Sequence, residues 1–429
     1  MKPKILTTLP GYTGRQFSAD ALAAVTVAMV ALPLSIAIAI ASGAAPAAGL
    51  VTAVIGGFLI SALGGSRVQV GGPTGAFIVV VYGVIQTHGF DGLLLATLMA
   101  GVILVIAGVL RAGRLIELVP EAVIEGFTVG IAIVIAVSQL KDLFGLTVAH
   151  LPAKFFAQGA TLWAARGSAN GAAMAVGVAT VVMIFALRRW VPRVPGPLVA
   201  VVLASGAAVM FVLPVDSVHS RYGALPAGLP WPHLPPLSID LAWAVLPSAL
   251  IIAFLAGIES LLSAKVADRM IGSAHRSNAE LLAQGAANIA SPLFGGLPAT
   301  GAIARTATNV RAGGRTPMAG LMHALIILAV IAVAAPLAGY LAMAALAGLL
   351  LVTAWTMSEP ARWGERWREP VPERLLFALT MVLTVVADLT TAIAVGTALG
   401  LGLKLVRGSG GRLVGEEQRG EERGGGGAE

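Results

Sequence analysis

The stretch Phe294–Val310, FGGLPATGAIARTATNV, is the part of this 429-residue chain around which the rest is arranged. It is a glycine-rich turn that leads into a short helix carrying Arg305. An earlier stretch, Leu63–Phe77, reads LGGSRVQVGGPTGAF and has the same order: a Gly-Gly pair, a proline, and Thr-Gly-Ala opening a helix. The chain therefore contains an internal repeat, with one broken segment in each half.

Both stretches interrupt apolar sequence. Hydrophobic segments broken by Gly and Pro in matching positions of two halves are typical of a transporter's binding site. Helix N-termini left unpaired in lipid would be costly, so the two ends must face protein or a water-filled cavity. Two facing N-termini concentrate positive partial charge, and Arg305 adds a full charge. The pattern therefore predicts a binding site for an anion.

The composition is that of a polytopic membrane protein that contacts the lipid bilayer. Hydrophobic residues make up 57% of the chain and charged residues 11%, and the mean hydropathy is +0.88. The basic residues lie in short runs between apolar segments, as topology determinants do, so we expect no nucleic-acid partner. Cysteine is absent and the histidines are scattered without ligand spacing, so we expect no metal and no cofactor.

The N-terminus, with Lys2, Lys4 and Arg15 before the first span, is predicted to be cytoplasmic by the positive-inside rule. Asp20 is the predicted N-cap of that span. We expect no removable signal peptide, both termini in the cytoplasm, and a location in the cell membrane, as for a bacterial inner-membrane protein.

The predicted fold is all-α, with fourteen transmembrane segments and two half-helices that follow short extended strands. The first strand is expected within Ser66–Gly72, and its half-helix ends near His88. Ser277 and Glu280 are predicted to form a capping box at the start of the ninth segment. The predicted regions are a cytoplasmic N-terminus (1–19), a first seven-segment repeat (20–213), an external connector (214–240), a second seven-segment repeat (241–407) and a disordered cytoplasmic tail (408–429).

At these residues the chain resembles the SulP family of anion permeases and exchangers, also called the sulfate permease family, whose animal branch includes prestin. The most specific motifs are GGSRVQVGGPTGAF (64–77), EGFTVGIAI (125–133), IESLLSAKVADRM (258–270) and SNAELLAQGAANIASPLFGGLPATGAIARTATNVRAGGRTPMAG (277–320). The resemblance implies a seven-plus-seven inverted repeat. It also implies a core domain of segments 1–4 and 8–11 and a gate domain of segments 5–7 and 12–14.

The resemblance implies that the substrate binds between the third and tenth half-helices. The residues implied to bind it are Thr74, Gly75, Ala76 and Phe77 at one N-terminus, Thr300, Gly301, Ala302, Ile303 and Arg305 at the other, and Leu34 and Ser35 in the first span. Glu259 falls on the acidic position of the eighth helix.

Three features depart from the common family pattern. Leu34 follows Pro33, where sulfate permeases of the family commonly have glutamine. Cyanobacterial bicarbonate transporters of the family have a more similar first span but lack an arginine at the position of Arg305. Most members also end in a cytoplasmic STAS domain, and the residues after the last span here are too few for one, so we expect its absence.

The preferred function is a secondary transporter of a small inorganic or carboxylate anion, such as sulfate, bicarbonate or a dicarboxylate, working by an elevator-like or rocking movement. Glu259 is the predicted coupling residue, because an acid within a transmembrane helix is expensive unless it is paired or takes up a proton. This favours proton symport or exchange. Sodium coupling, as in a sodium-coupled bicarbonate transporter, stays open, as does pairing with a second copy as a homodimer.

Other classes remain as alternatives. A nucleobase permease has the same architecture with a neutral substrate, and Arg305 argues against it. A membrane-embedded enzyme ranks low, because the chain has no DDxxD-type cluster and its intramembrane acids stand alone, so we predict that the chain is not an enzyme. Sequence does not distinguish a channel from a transporter.

Overall fold

The structure is a computed structural model that describes residues 2–113, 119–192, 194–387 and 391–403. The predicted tail at 408–429 lies outside these residues. The described part is predominantly helical, as predicted.

Helices are numbered here along the chain. They are α1 (Ile5–Thr8), α2 (Gly14–Ala41), α3 (Pro46–Leu63), α4 (Ile78–Val109), α5 (Glu121–Leu143), α6 (Phe155–Ala164), α7 (Gly171–Trp190), α8 (Gly196–Met210), α9 (Val218–Tyr222), α10 (Ile239–Ile271), α11 (Ser277–Leu293), α12 (Ile303–Arg311), α13 (Pro317–Ala338), α14 (Met343–Met357), α15 (Trp363–Arg366), α16 (Val371–Val386) and α17 (Thr391–Leu403). Turns of 3₁₀ helix cover Gly75–Phe77, Ala165–Ser168 and Pro360–Arg362, and the strands are β1 (Gly71–Gly72) and β2 (Thr300–Gly301).

Eight helical spans among the described residues are long and apolar enough to cross a membrane. They contain α2, α3, α4, α5, α7, α10, α13 and α14. Helix α4 is divided at Gly89, whose φ of 71° is not helical, which confirms that the third segment ends near His88. With α4 divided, the shorter helices α8, α11, α12, α16 and α17 complete the fourteen predicted segments.

The two broken segments meet through their strands. β1 and β2 pair antiparallel, with Gly71 opposite Gly301 and Gly72 opposite Thr300. β1 is shorter than the predicted stretch because backbone groups of the residues before it form hydrogen bonds with side chains of α12. Thr306 Oγ1 accepts from the Val70 amide at 3.1 Å, and Asn309 Nδ2 donates to the Val68 carbonyl at 2.8 Å. The pairing places the start of α12 beside the turn that precedes α4.

The predicted N-cap at Asp20 is wrong. Helix α2 begins earlier, at Gly14, where Thr13 and Gln16 form a capping box. Asp20 lies buried inside the helix and accepts the backbone amides of Arg315 and Thr316, so it serves the N-terminus of α13 instead. An acid of the first repeat thereby stabilises a helix of the second.

The predicted capping box of Ser277 and Glu280 is also wrong. Glu280 is fully buried, and its Oε2 accepts the backbone amides of Gly65 and Ser66 at 2.8 and 3.1 Å. Its Oε1 accepts from the Ser260 hydroxyl at 3.0 Å. Gln284 of the same helix also donates to Oε1, at 3.1 Å. The carboxylate is held by these donors, in the loop after α3, in α10 and in α11, and not by the N-terminal amides of its own helix, because buried polar groups need partners.

Contacts between loops show which ends of the spans lie together. The Lys4 amide donates to the Gly64 carbonyl and the Gly113 amide to the Asn278 side chain, so the N-terminal arm shares one end with the loops after α3, α4 and α10. At the other end, the Met343 amide donates to the Asp216 carbonyl. The connector after α8 therefore lies beside the α13–α14 junction.

The chain divides into two compact units. Within the described residues, the first takes in 2–113 and Ile131–Met357, where α11 packs on α3 and α4 and α13 packs on α2 and α3. The second takes in 119–130 and 358–387 with 391–403. Here Glu125 forms ion pairs with Arg362 and with Arg366, the latter at 3.1 Å. These ion pairs connect the linker after α14 to the first turns of α5. The division into core and gate domains stays a prediction.

Candidate functional site

The predicted anion site is built around two helix starts that follow the paired strands. Gly75 opens a 3₁₀ turn leading into α4, and Ile303 opens α12. The first amides of a helix have no partner within it, so each start offers N–H groups and positive partial charge. The strand pairing therefore brings the two predicted N-termini together.

Arg305 is buried within this region, with only 1% of its surface exposed. Its Nη2 donates to Ser35 Oγ at 3.0 Å and its Nη1 to the Gly71 carbonyl at 3.4 Å. Nε has no hydrogen-bond partner among the described residues. A guanidinium buried with so few partners retains positive charge and free donor capacity, which is the chemistry that recognises an anion.

Room for this guanidinium depends on Gly72. A Cβ atom at that position would collide with Nη1 of Arg305, and the φ of +148° disfavours other residues. Gly72 of the first repeat therefore leaves the space that Arg305 of the second repeat occupies.

Glu259 lies on α10 and is partly buried. Its Oε2 accepts from Thr74 Oγ1 at 2.9 Å, and its charge acts on Arg305. The structure thus links Glu259 to Thr74 by a hydrogen bond and to Arg305 by an electrostatic interaction. An acid and a cation that influence each other's charge state can couple anion binding to the binding of a proton.

The other predicted site residues differ in exposure and in bonding. Thr300 is fully buried, and its hydroxyl donates to the Ala256 carbonyl at 2.9 Å. Ile303 is 37% exposed. Leu34 and Ala76 are partly buried, whereas Ala302 and Phe77 are buried.

Gln69 is a residue that the sequence reasoning missed. Its Nε2 donates to the carbonyl and the hydroxyl of Ser260, both at 3.0 Å, and a Cβ atom at Gly301 would collide with that amide. Gln69 therefore lies directly behind the strand residue that precedes α12. An amide side chain between two valines, Val68 and Val70, was the available signal.

His323 was missed as well. It is fully buried in α13, and neither ring nitrogen has a hydrogen-bond partner among the described residues. The ring lies within electrostatic reach of Arg305. Its signal was again a polar side chain within an apolar span.

Metal ligation has no evident candidate in the described part of the chain, where no group of three or more His, Cys, Asp or Glu residues could hold an ion. The chemistry of the region therefore rests on Arg305, Glu259, Ser35, Thr74 and the two helix starts.

Comparison with known proteins gives consistent matches. The sequence profile of the sulfate permease family matches residues 17–380. YvdB of Bacillus subtilis, provisionally named a sulfate transporter, is 42% identical over 390 residues, which are 91% of this chain and 74% of YvdB. The bicarbonate transporter BicA of Synechocystis sp. is 32% identical over 399 residues, covering 89% of this chain and 68% of BicA.

Solved structures of membrane transporters also match the fold of this chain. The transmembrane domain of a cyanobacterial bicarbonate transporter BicA has a TM-score of 0.81 and 31% identity, covering 89% of this chain and 98% of that domain. SLC26A9 shares the fold, with a TM-score of 0.85 at 17% identity over 94% of this chain and 68% of that protein. These matches confirm the predicted membrane fold, and the relatives are transporters, which confirms that the chain is not an enzyme. The extent of the profile and the identity to YvdB and BicA establish that the chain belongs to the sulfate permease family.

Proposed function

We propose that this transporter moves a small oxyanion or carboxylate anion together with a proton, with the anion bound between the helix starts at Gly75 and Ile303. The observation that carries the proposal is Arg305, a buried cation that lies beside two helix N-termini and whose Nε has no hydrogen-bond partner in the described part of the chain. A cation in that position is costly unless an anion offsets its charge during the transport cycle.

The substrate class follows from these donors. Amide N–H groups and a guanidinium suit oxygen atoms that carry negative charge, as in sulfate, bicarbonate or a dicarboxylate. A neutral nucleobase would leave Arg305 uncompensated, which argues against the permease alternative. Similarity to YvdB, provisionally named a sulfate transporter, and to the bicarbonate transporter BicA supports the oxyanion class without choosing between its members.

Glu259 is the proposed coupling residue. When the anion binds, it screens Arg305 and removes part of the support for a negative charge on Glu259. Anion binding and protonation of Glu259 therefore favour each other, as symport requires. Sodium held by Glu259 and the Thr74 hydroxyl is the competing arrangement, because both groups offer oxygen ligands.

Movement of a core domain against a gate domain, elevator-like or rocking, would expose the site alternately to the two sides. The basic residues at the N-terminal end support a cytoplasmic location for both termini.

The deciding experiment is uptake into proteoliposomes of labelled sulfate, bicarbonate and succinate under imposed proton or sodium gradients. We expect saturable uptake of at least one anion, accumulated by an inward proton gradient and unaffected by uracil. Accumulation driven only by a sodium gradient would show that the coupling ion is sodium and not the proposed proton. Uptake of uracil that no anion competes with would contradict the anion site itself.

A further inference from the structure

Three basic residues meet at the loop that follows α3, at the end of the molecule where the N-terminal arm lies. The Lys4 amide donates to the Gly64 carbonyl at 2.9 Å, and the Arg276 amide donates to the Gly65 carbonyl at 3.1 Å. Arg67 belongs to the same loop. Residues from the N-terminal arm, the first repeat and the second repeat thus meet around one backbone stretch, and none of them is a hydrogen-bond partner of Arg305.

A buried framework sets the position of this loop. Glu280 accepts the amides of Gly65 and Ser66, so the loop backbone is anchored to α11. A Cβ atom at Gly65 would lie 3.1 Å from the Cα atom of Arg276 and closer still to its carbonyl, so the two segments touch backbone to backbone. Arg276 also donates from Nη1 to the Lys2 carbonyl at 2.6 Å, which holds the arm against the loop.

The cluster carries a net positive charge, which Asp268 offsets in part. Burial lowers the pKa of the Lys4 ammonium, and the nearby charges of Arg276 and Arg67 lower it further. Asp268 acts in the opposite direction, but its carboxylate is engaged by the His275 ring at 2.7 Å. Within the described ranges, none of the three cations forms an ion pair with an acid.

Two buried polar atoms of the loop point to a ligand. Nε of Arg67 and Oγ of Ser66 have no hydrogen-bond partner in the part of the chain that the structure describes, and Ser66 is only 5% exposed. Buried polar groups are almost always paired, so these two donors, one of which belongs to a cation of the cluster, indicate a site that receives an anionic group.

Exposed leucines lie in the same segments as the cluster. Leu63, the last residue of α3, is 38% exposed and directly precedes the loop, while Leu6 and Leu9 of the N-terminal arm are 60% and 41% exposed. In a membrane protein, exposed leucines beside cations at the end of a span suit a ligand with a charged head and an apolar tail.

We propose that Lys4, Ser66, Arg67 and Arg276 bind the phosphate headgroup of an acidic phospholipid, with its acyl chains along Leu63 and Leu6. The lipid would neutralise the cluster and hold the N-terminal arm against the ends of α3 and α11. A free inorganic anion shares the headgroup chemistry but gains nothing from the exposed leucines, which is why the lipid is the preferred occupant.

The test uses the full chain in neutral detergent, with the thermal unfolding midpoint followed as phosphatidylglycerol or phosphatidylcholine is added. We expect phosphatidylglycerol alone to stabilise the protein. Arg67→Gln and Lys4→Gln should each weaken its apparent affinity about fivefold, the scale of one cation at a lipid surface. The matched control is Arg15→Gln, an exposed cation at the start of α2 that should leave the lipid response unchanged.

Two results would overturn the proposal. One is an unchanged phosphatidylglycerol response in both Arg67→Gln and Lys4→Gln. The other is equal stabilisation by inorganic phosphate or sulfate that Arg67→Gln abolishes, since this would assign the cluster to free anions. Stabilisation by sulfate that depends on Arg305 instead reports on the transport site and leaves the lipid assignment standing.

Discussion

Arg305 and Ser35 are joined by a hydrogen bond of 3.0 Å although they are 270 residues apart in the chain. One lies in the short helix after β2 and the other in the first long span, so the bond joins the two repeats at the candidate anion site. Ser35 satisfies one guanidinium nitrogen while Nε is left without a partner among the described residues. Ser35 is therefore expected to orient the cation rather than to neutralise it.

Removing the guanidinium should abolish most anion binding. We expect Arg305→Ala to weaken the apparent affinity for the transported anion about 10- to 100-fold, the range for hydrogen bonds to a charged group. Ser35→Ala should cost less, about three- to tenfold, because the charge remains and only its orientation is lost. Initial rates of uptake across anion concentrations measure both. Unchanged affinity in Arg305→Ala would remove this residue from the site.

Glu259→Gln separates binding from coupling. The amide keeps a hydrogen-bonding oxygen for Thr74 but cannot take up a proton, so anion exchange between two loaded compartments should persist. Accumulation under an inward proton gradient should be lost. The control is Asp91→Asn, an exposed acid. If Glu259→Gln still concentrates the anion in response to the gradient, the coupling proton binds elsewhere.

Gly301 tests how closely the strand packs on Gln69. An added methyl group would collide with the Gln69 amide, so Gly301→Ala should destabilise the protein by about 1–3 kcal/mol through overpacking and should also slow uptake. Truncating the neighbour in the double variant Gly301→Ala with Gln69→Ala should recover part of that loss.

Gly75→Ala is the matched control for Gly301→Ala. Its methyl group would meet the Met357 sulfur at 2.9 Å, and that side chain is flexible enough to move. Thermal unfolding of the three variants measures the effect. Equal stability of Gly301→Ala and Gly75→Ala would contradict the close contact with Gln69.

Glu280 is expected to be structural. Glu280→Ala would leave the buried amides of Gly65 and Ser66 unpaired, at about 1–3 kcal/mol each, so the unfolding midpoint should fall markedly. Glu280→Gln keeps one acceptor oxygen and should lose less. Asp91→Ala, at an exposed acid, should leave the midpoint unchanged. A normal midpoint for Glu280→Ala would show that these amides find other partners.

The broken segments could be read from the sequence, because their signals are local. Glycine, proline and the residues at a helix start control backbone conformation within a few positions, so the two half-helices, the break near His88 and the two helix starts were predictable. The same local reasoning failed at Asp20 and at Glu280. Each acid stands at a spacing that suits a local cap, yet it accepts donors from a distant segment.

The partners of the buried polar groups were settled only by the tertiary structure. The hydrogen bond between Thr74 and Glu259 spans 185 positions, and that between Asp20 and Thr316 spans 296. Nothing in the local chemistry of a side chain specifies which remote donor will lie within about 3 Å once the helices pack. The sequence determined where the helices break and that a cation stands at one break. Packing of the two repeats decided which groups hold that cation, because buried polar groups must take their partners from whatever segment folds against them.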